Sequence, residues 1–408
     1  MPQLNLSTTT GRRLLILILG VMGMFPALAS DVYLPAFPEV AREMHVTINQ
    51  VQFTLAASMV GMGIGMLLWG TISDRIGRKT PAILGSLAYL VASLLCVFAP
   101  DLTWLIVWRL VQGIGGAAAV VVGRAIVRDL YSGREMARLM MAVQTIFFIT
   151  PVLAPSIGAL ILSFANWQAL FVLMAGLGAV GVFGILALPE SLKLENRVRN
   201  NLMQALGAYR LVFADGNFRQ YLWQNSASVM VTIVYISTTA DVYLQHFGVP
   251  EQAFGLIFGV TAFGQMVGAQ LNRRLLTRFS VERLLVAFVI GQFTFATGLF
   301  IVGRFTDNMW LVMAFQVLTI FCGGSIVGNG TTLALRDYQV NAGTGVALLA
   351  LAQSISGTLA ASLSALLPLT PVVRMTSAMA FAALISFGLM SWRALRGART
   401  RARVGVEI

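Results

Sequence analysis

Charge is what this chain has least of: of its 408 residues only 11% are Asp, Glu, Lys or Arg, against 57% hydrophobic. Cysteine is nearly absent, and Cys96 and Cys322 stand far apart in apolar surroundings, which argues against a disulfide framework or a thiolate metal site and for simple packing. The two histidines, His45 and His246, are equally scattered and read as surface residues. No glycine-rich loop ends in Lys-Ser/Thr, no His/Cys spacing suits a metal, and no nucleophile elbow is present. ATP-driven pumping and intramembrane hydrolysis therefore lack residues to perform them. The chain is not read as an enzyme, and no cofactor or metal is expected.

Apolar runs take the place of charge. Mean hydropathy is +0.80, and twelve mostly apolar segments follow one another, at 14–36, 50–69, 80–99, 103–126, 138–163, 168–188, 219–244, 251–272, 283–303, 309–332, 346–367 and 373–393. Each is long enough to cross a hydrocarbon core of ~30 Å, so the expected fold is an all-α membrane protein. Arg12-Arg13 followed by an apolar stretch closing on Ala27-Leu28-Ala29 has the outline of an export signal. The eleven spans that follow it favour a retained first helix instead.

With both termini placed inside, cytoplasmic loops and helix ends collect 24 of the 28 Lys and Arg residues; Arg42, Arg304 and Arg374 fall outside, and Arg109 lies within a span. That asymmetry orients the chain, and it accounts for the net charge of +12 without nucleic acid. The basic tail from Arg393 to Arg403 is expected beside anionic headgroups. A multi-pass protein of a bacterial inner membrane is expected, as a monomer.

The only long polar connection contains "PESLKLENRVRNN" and divides the chain into a six-span half (1–188), a cytoplasmic linker (189–218) and a second six-span half with the basic tail (219–408). Within the linker, "LMQALGAYRLVF" fits either a short amphipathic surface helix or a tether. The halves resemble one another: "DVYLPAFP" from Asp31 recurs as "DVYLQHFG" from Asp241, and "VGMGIG" aligns Gly61 with Gly264 and Gly65 with Gly268. Duplicated helical halves are an architecture of alternating-access transporters.

Three stretches carry chemistry. "GTISDRIGRKTPAIL" (Gly70–Leu84) joins the second and third spans. There Gly70 would let helix ends approach, Asp74 would accept from a helix N-terminus, Arg75 adds charge, and Arg78 can reach Asp129 at the inner end of the fourth span: together a latch for the cytoplasmic side. The corresponding "NRRLLTRFS" in the second half has no acid. Arg109 opens "RLVQGIGGAAA"; an arginine inside a span costs roughly 2.5–3.5 kcal/mol on insertion scales and needs a partner or water. "TPVLAPSIGAL" (Thr150–Leu160) places Pro151, Pro155 and Gly158 where they would kink a helix and permit close packing.

The first of these stretches resembles the cytoplasmic loop signature of the major facilitator superfamily, and Arg109-x-x-Gln112-Gly113 resembles a second signature of it. The proline stretch is similar to that of the antiporter branch but has Ala154 and Ala159 where glycines stand in the fuller pattern. With "RAIVRDLY" (Arg124–Tyr131), "NWQALF" (Asn166–Phe171) and "NAGTGVAL" (Asn341–Leu348), the chain looks like the bicyclomycin and chloramphenicol resistance subgroup of drug:proton antiporters with twelve transmembrane helices. The resemblance implies two pseudo-symmetric six-helix bundles, export of amphipathic drugs in exchange for protons, and Asp31 as the protonation site. Asp241 has no such role to inherit.

Of the sixteen acids only Asp31 and Asp241 fall within spans. A carboxylate in an apolar site favours its neutral form, so Asp31 is expected to hold a proton until water, a cation or an arginine arrives. Asp241 is either a second proton site or a residue of the outer interface. Tyr33, Met59, Arg109, Gln112, Tyr235, Gln265 and Gln353 are the candidate cavity residues, in a Met-rich chain suited to varied ligands. A dedicated exporter of one metabolite, siderophore or sugar would share every motif, and a non-transporting membrane receptor is the reading from another class.

Overall fold

Away from water a backbone satisfies its N–H and C=O groups as a helix or in a closed barrel, and continuous apolar runs of about twenty residues, without the alternation a barrel strand needs, select the helix. A computed structural model describes residues 8–197, 202–336 and 342–404, and no strand occurs among them. The helices are α1 (Thr10–Glu43), α2 (Ile48–Ile76), α3 (Lys79–Val97), α4 (Leu102–Leu130), α5 (Gly133–Leu162), α6 (Gln168–Ala187), α7 (Gly216–His246), α8 (Glu251–Leu275), α9 (Val281–Phe305), α10 (Met309–Ala334), α11 (Ala342–Ala365) and α12 (Pro371–Val404). Eleven are long and apolar enough to cross a membrane by their described residues alone, and α5 contributes the shorter apolar stretch Leu153–Leu162. The linker holds a short helix, Leu202–Ala214.

The helices outrun the apolar segments because polar turns continue them past the hydrocarbon. At 29 residues α2 measures roughly 44 Å at 1.5 Å per residue. Thr47 caps it reciprocally with Gln50, and Asp101 caps α4 through the Trp104 amide. Two compact units result, Met1–Tyr209 with Tyr243–Gly259, and Arg210–Val242 with Val260–Ile408.

In the first unit α4 is the axis. Its small residues let neighbours in: a Cβ on Gly61 would strike the Leu110 carbonyl, and one on Gly113 the Ser58 carbonyl, so α2 and α4 meet backbone to backbone. The second unit repeats the device, with Gly264 against Val317 and Gly268 against the Phe321 carbonyl where α8 meets α10. Gly70, by contrast, has only Val121 Cγ1 at 3.7 Å from its would-be Cβ. The close approach expected there is made two turns earlier, by Gly61 and Gly65.

Candidate functional site

Three prolines crowd α1 around Asp31, and each removes an amide that a regular helix needs. The chain answers with a π-helical turn at Leu28–Val32 and a 3-10 turn at Leu34–Ala36. Asp31 sits in the π turn with 4% of its surface exposed. Its Oδ1 lies 2.6 Å from Ser30 Oγ, which is also 3.2 Å from the Pro26 and Ala27 carbonyls. A hydroxyl has one proton to give. If it goes to a carbonyl, the short contact is made by a protonated Asp31 donating to Ser30; if it goes to Asp31, the carboxylate is ionised. The site accommodates both states without moving a heavy atom.

Beside it lies Arg109, wholly buried. Its Nη2 donates to the Ala29 carbonyl at 2.5 Å and its Nη1 to Gln112 Oε1 at 2.6 Å, while its guanidinium carbon rests 4.8 Å from the Tyr33 ring and 5.6 Å from that of Phe171. Its Nε has no acceptor. Gln112 passes the chain on to Ser93 at 2.7 Å, and Tyr33 OH meets Thr54 at 3.3 Å. Carbonyl, amide and ring faces thus surround this cation, and no carboxylate among the described residues bonds to it. From α5, Gly158 closes against the Val32 backbone, so the proline stretch meets α1 beside Asp31. Pro155 is buried there within a continuous α5, and the Pro151 side chain lies outside the described residues.

Asp31, Tyr33, Arg109, Gln112 and Gly158 therefore converge. Met59 on α2 is half-buried, as are Gln265 on α8 and Gln353 on α11, while Tyr235 on α7 is buried. Asp241 begins a π-helical turn of its own, Asp241–His246, and is 4% exposed. Arg374 Nη2 on α12 donates to its Oδ2. Arg374, counted from the sequence among outer-loop cations, is instead a buried partner of an acid one helix away. It escaped notice because a charge one turn into a helix cannot be told from a loop charge by hydropathy.

At the inner end of the first unit, Arg78 is 3% exposed and central. Its Nε donates to Asp129 at 2.7 Å, and its Nη1 to Asp74 at 2.5 Å and to Ser73 at 3.0 Å. Burial alone pulls this guanidinium down, but the hydrogen bonds and charges of Asp129 and Asp74 more than reverse that, leaving it above the ordinary arginine value and firmly charged. Arg75 is half-buried nearby on the last turn of α2. The acid that serves the helix N-terminus is Glu190, not Asp74: it accepts from the amides of Arg78 at 2.8 Å and Lys79 at 3.2 Å, where α3 begins. Lys79 Nζ returns to the Leu186 and Leu188 carbonyls at the end of α6, at 2.8 and 2.7 Å. Gly77, at φ +106°, makes the turn, and a Cβ there would meet Glu190 at 2.5 Å. In the second unit Asn272 on α8 and Asn329 on α10 form a neutral pair bonded at 3.0 and 2.9 Å, and beyond them Arg336, just past α10, donates to Glu282 at the start of α9 at 3.3 Å.

Sequence reasoning also missed the outer tie of the first unit. Glu43, on the helical continuation of α1, accepts from Trp167 Nε1 at 2.7 Å and Gln168 Nε2 at 2.9 Å. Among the described residues no three His, Cys, Asp or Glu side chains form a metal-ligand cluster.

A bundle of helices long and apolar enough to cross a membrane, with ionisable groups buried in its spans, is the build of a polytopic membrane protein. The profile of the Major Facilitator Superfamily matches residues 19–361, and the chain belongs to that family. It is 30% identical over 376 residues to the bicyclomycin resistance protein homolog of Haemophilus influenzae, covering 91% of this chain and 94% of the relative. It is 28% identical over 384 residues to the multidrug resistance protein MdtL of Shewanella sp. strain ANA-3, covering 93% and 95%. Among solved structures it shares the fold of a D-xylose-proton symporter, with TM-score 0.72, 14% identity and coverage of 93% and 98%.

Proposed function

We propose that this transporter exports varied amphipathic molecules from a bacterial cytoplasm across the inner membrane in exchange for protons, by alternating access. The halves 1–188 and 219–408, joined by 189–218, are taken as the moving bodies. The observation that carries the reading is Asp31: a buried carboxyl in a π turn, with a hydroxyl at 2.6 Å and an arginine held on the carbonyl two residues before it. Both protonation states fit that geometry, as exchange requires. Substrate and proton discharge one another at this acid, and a proton moving down 100 mV contributes about 2.3 kcal/mol to export. Relatives bearing multidrug and bicyclomycin resistance names support the substrate range. The Arg78 cluster acts as the cytoplasmic latch, and Met59, Tyr235, Gln265 and Gln353 as substrate contacts.

The test uses everted vesicles containing the full chain, energised to an acid interior and challenged with chemically unlike compounds while internal pH is followed. Proton efflux triggered by many of them is expected. A response to one compound alone would mean a dedicated exporter, and none at all would refute transport coupled to protons.

A further inference from the structure

The two halves repeat an acid in a π turn but not the cation beside it. Asp31 lies in the turn Leu28–Val32 of α1 and Asp241 begins the turn Asp241–His246 of α7, and each is 4% exposed. In the first unit the cation comes from α4: Arg109 Nη2 donates to the Ala29 carbonyl at 2.5 Å, and among the described residues no guanidinium bonds to Asp31. The second unit has moved its cation to another helix. A Cβ on Gly65 would meet the Ile114 carbonyl and one on Gly268 the Phe321 carbonyl, so the two crossings correspond, and five residues before those carbonyls stand Arg109 on α4 and Gln316 on α10. Gln316 is neutral and buried, and its Nε2 donates to Thr261 at 3.1 Å. The arginine stands on α12 instead. Arg374 is the fourth residue of that helix, as Phe171, the ring 5.6 Å from Arg109, is of α6.

The consequence of the move is a direct ion pair. Arg374 Nη2 donates to Asp241 Oδ2, and both side chains are 6% exposed. α7 packs against α10, α11 and α12. Of these, α10 carries only Cys322 as a titratable group, α11 carries none, and Arg374 is the one charge on α12 before Arg393. Arg304, at the outer end of α9, is exposed, and the other titratable residues of this part of α7 are Tyr235, Tyr243 and His246, with no second carboxyl. Protonating Asp241 would therefore leave a buried guanidinium without its counter-charge, which is what makes a broken buried pair costly.

We propose that Arg374 clamps Asp241 as a fixed carboxylate and so takes the second of two repeat-related acids out of the proton cycle, leaving one exchanging carboxyl, Asp31, per chain. The inference rests on the transport reading and extends it, since the coupling ratio then follows from where each half places its arginine. A guanidinium on a backbone carbonyl leaves the neighbouring acid free to hold or lose a proton. A guanidinium on the acid itself does not. Arg374 acts on transport only through Asp241 and is a positioning residue.

Infrared spectroscopy of the purified full chain in detergent tests it, because a neutral carboxyl shows a C=O stretch that an ionised carboxylate lacks. Asp241→Asn should leave the neutral-carboxyl band of the wild-type chain unchanged. Arg374→Met should add a second band, which Asp241→Asn in the same chain removes, and Arg374→Lys, which keeps the charge, should add none. A wild-type band diminished by Asp241→Asn, or no added band in Arg374→Met, would overturn the proposal. If a single variant does not fold, the double variant Asp241→Asn/Arg374→Met decides: its band should equal that of the wild type, and a smaller one would overturn the clamp. Substrate added to the wild-type chain in weakly buffered detergent should release one proton per molecule bound, and two would overturn the proposal as well. Because the spectra need no substrate, the expected bands with no proton release at all would refute exchange at Asp31 and leave the Arg374 clamp standing.

Discussion

Replacing Asp129 by Asn should loosen the inner end of the first unit far more than replacing Asp74, although Arg78 bonds to both. The side chains of Arg78 and Asp129 are 4% and 12% exposed, whereas that of Asp74 is 46% exposed. Removing one partner of a buried ion pair typically costs about 3–5 kcal/mol, because it strands the other charge. Asp74 remains at 2.5 Å to take up part of that charge, so about 2–3 kcal/mol is a reasonable expectation for Asp129→Asn, or roughly 30- to 150-fold in the equilibrium between closed and open latch. For the half-exposed Asp74 the surface-pair value of ~0.2–1 kcal/mol applies, at most about fivefold. Hydrogen exchange reads the difference directly: Glu190 holds the amides of Arg78 and Lys79, and on the proposed latch, opening would free them. Exchange in the α2–α3 loop should accelerate by the larger factor in Asp129→Asn and barely move in Asp74→Asn. Equal acceleration in the two variants would refute the assignment of the latch to the Arg78–Asp129 pair.

Other perturbations separate the remaining contacts. Arg374→Met and Asp241→Asn should each destabilise the second unit by about 3–5 kcal/mol, while the double variant should recover most of that loss, because it leaves no stranded charge; thermal melts in detergent of the singles and the double decide it. Gly61→Leu should abolish the folded yield, since its side chain would enter the Leu110 carbonyl. Gly70→Ala should fold normally and melt slightly higher, having ordinary room beside Val121 and a helix-propensity gain of about 1 kcal/mol; a melt lowered by more than that amount would show a contact at Gly70 that this conformation does not make.

Much of this was legible in sequence, for identifiable reasons. Hydropathy and the placement of Lys and Arg depend on local composition, so the helices and their order follow from counting. The glycines at Gly61 and Gly65 repeat at Gly264 and Gly268 because a tight helix crossing permits no larger residue, and that steric demand is visible as a pattern. Arg78 and Asp129 could be related because both end spans on the same side. Glu190, Ser30 and Arg374 could not be picked out in the same way. Glu190 reads as one more linker charge until the chain is folded, when it lies 2.8 Å from an amide 112 residues away. Ser30 carries no signal besides adjacency to Asp31. Arg374 pairs with an acid 133 residues distant across α7 and α12, and nothing periodic marks it. Gly70 misled in the opposite direction: small residues at a helix end suggest contact whether or not one is made.

The most direct measurement of what Asp31 does is proton release on binding, with purified protein in weakly buffered detergent titrated with an exported compound. Wild-type protein should release protons as substrate occupies the site, and Asp31→Asn should bind without releasing any, whereas Asp241→Asn should keep the response. Release persisting at the wild-type level in Asp31→Asn would contradict the assignment of exchange to that carboxyl.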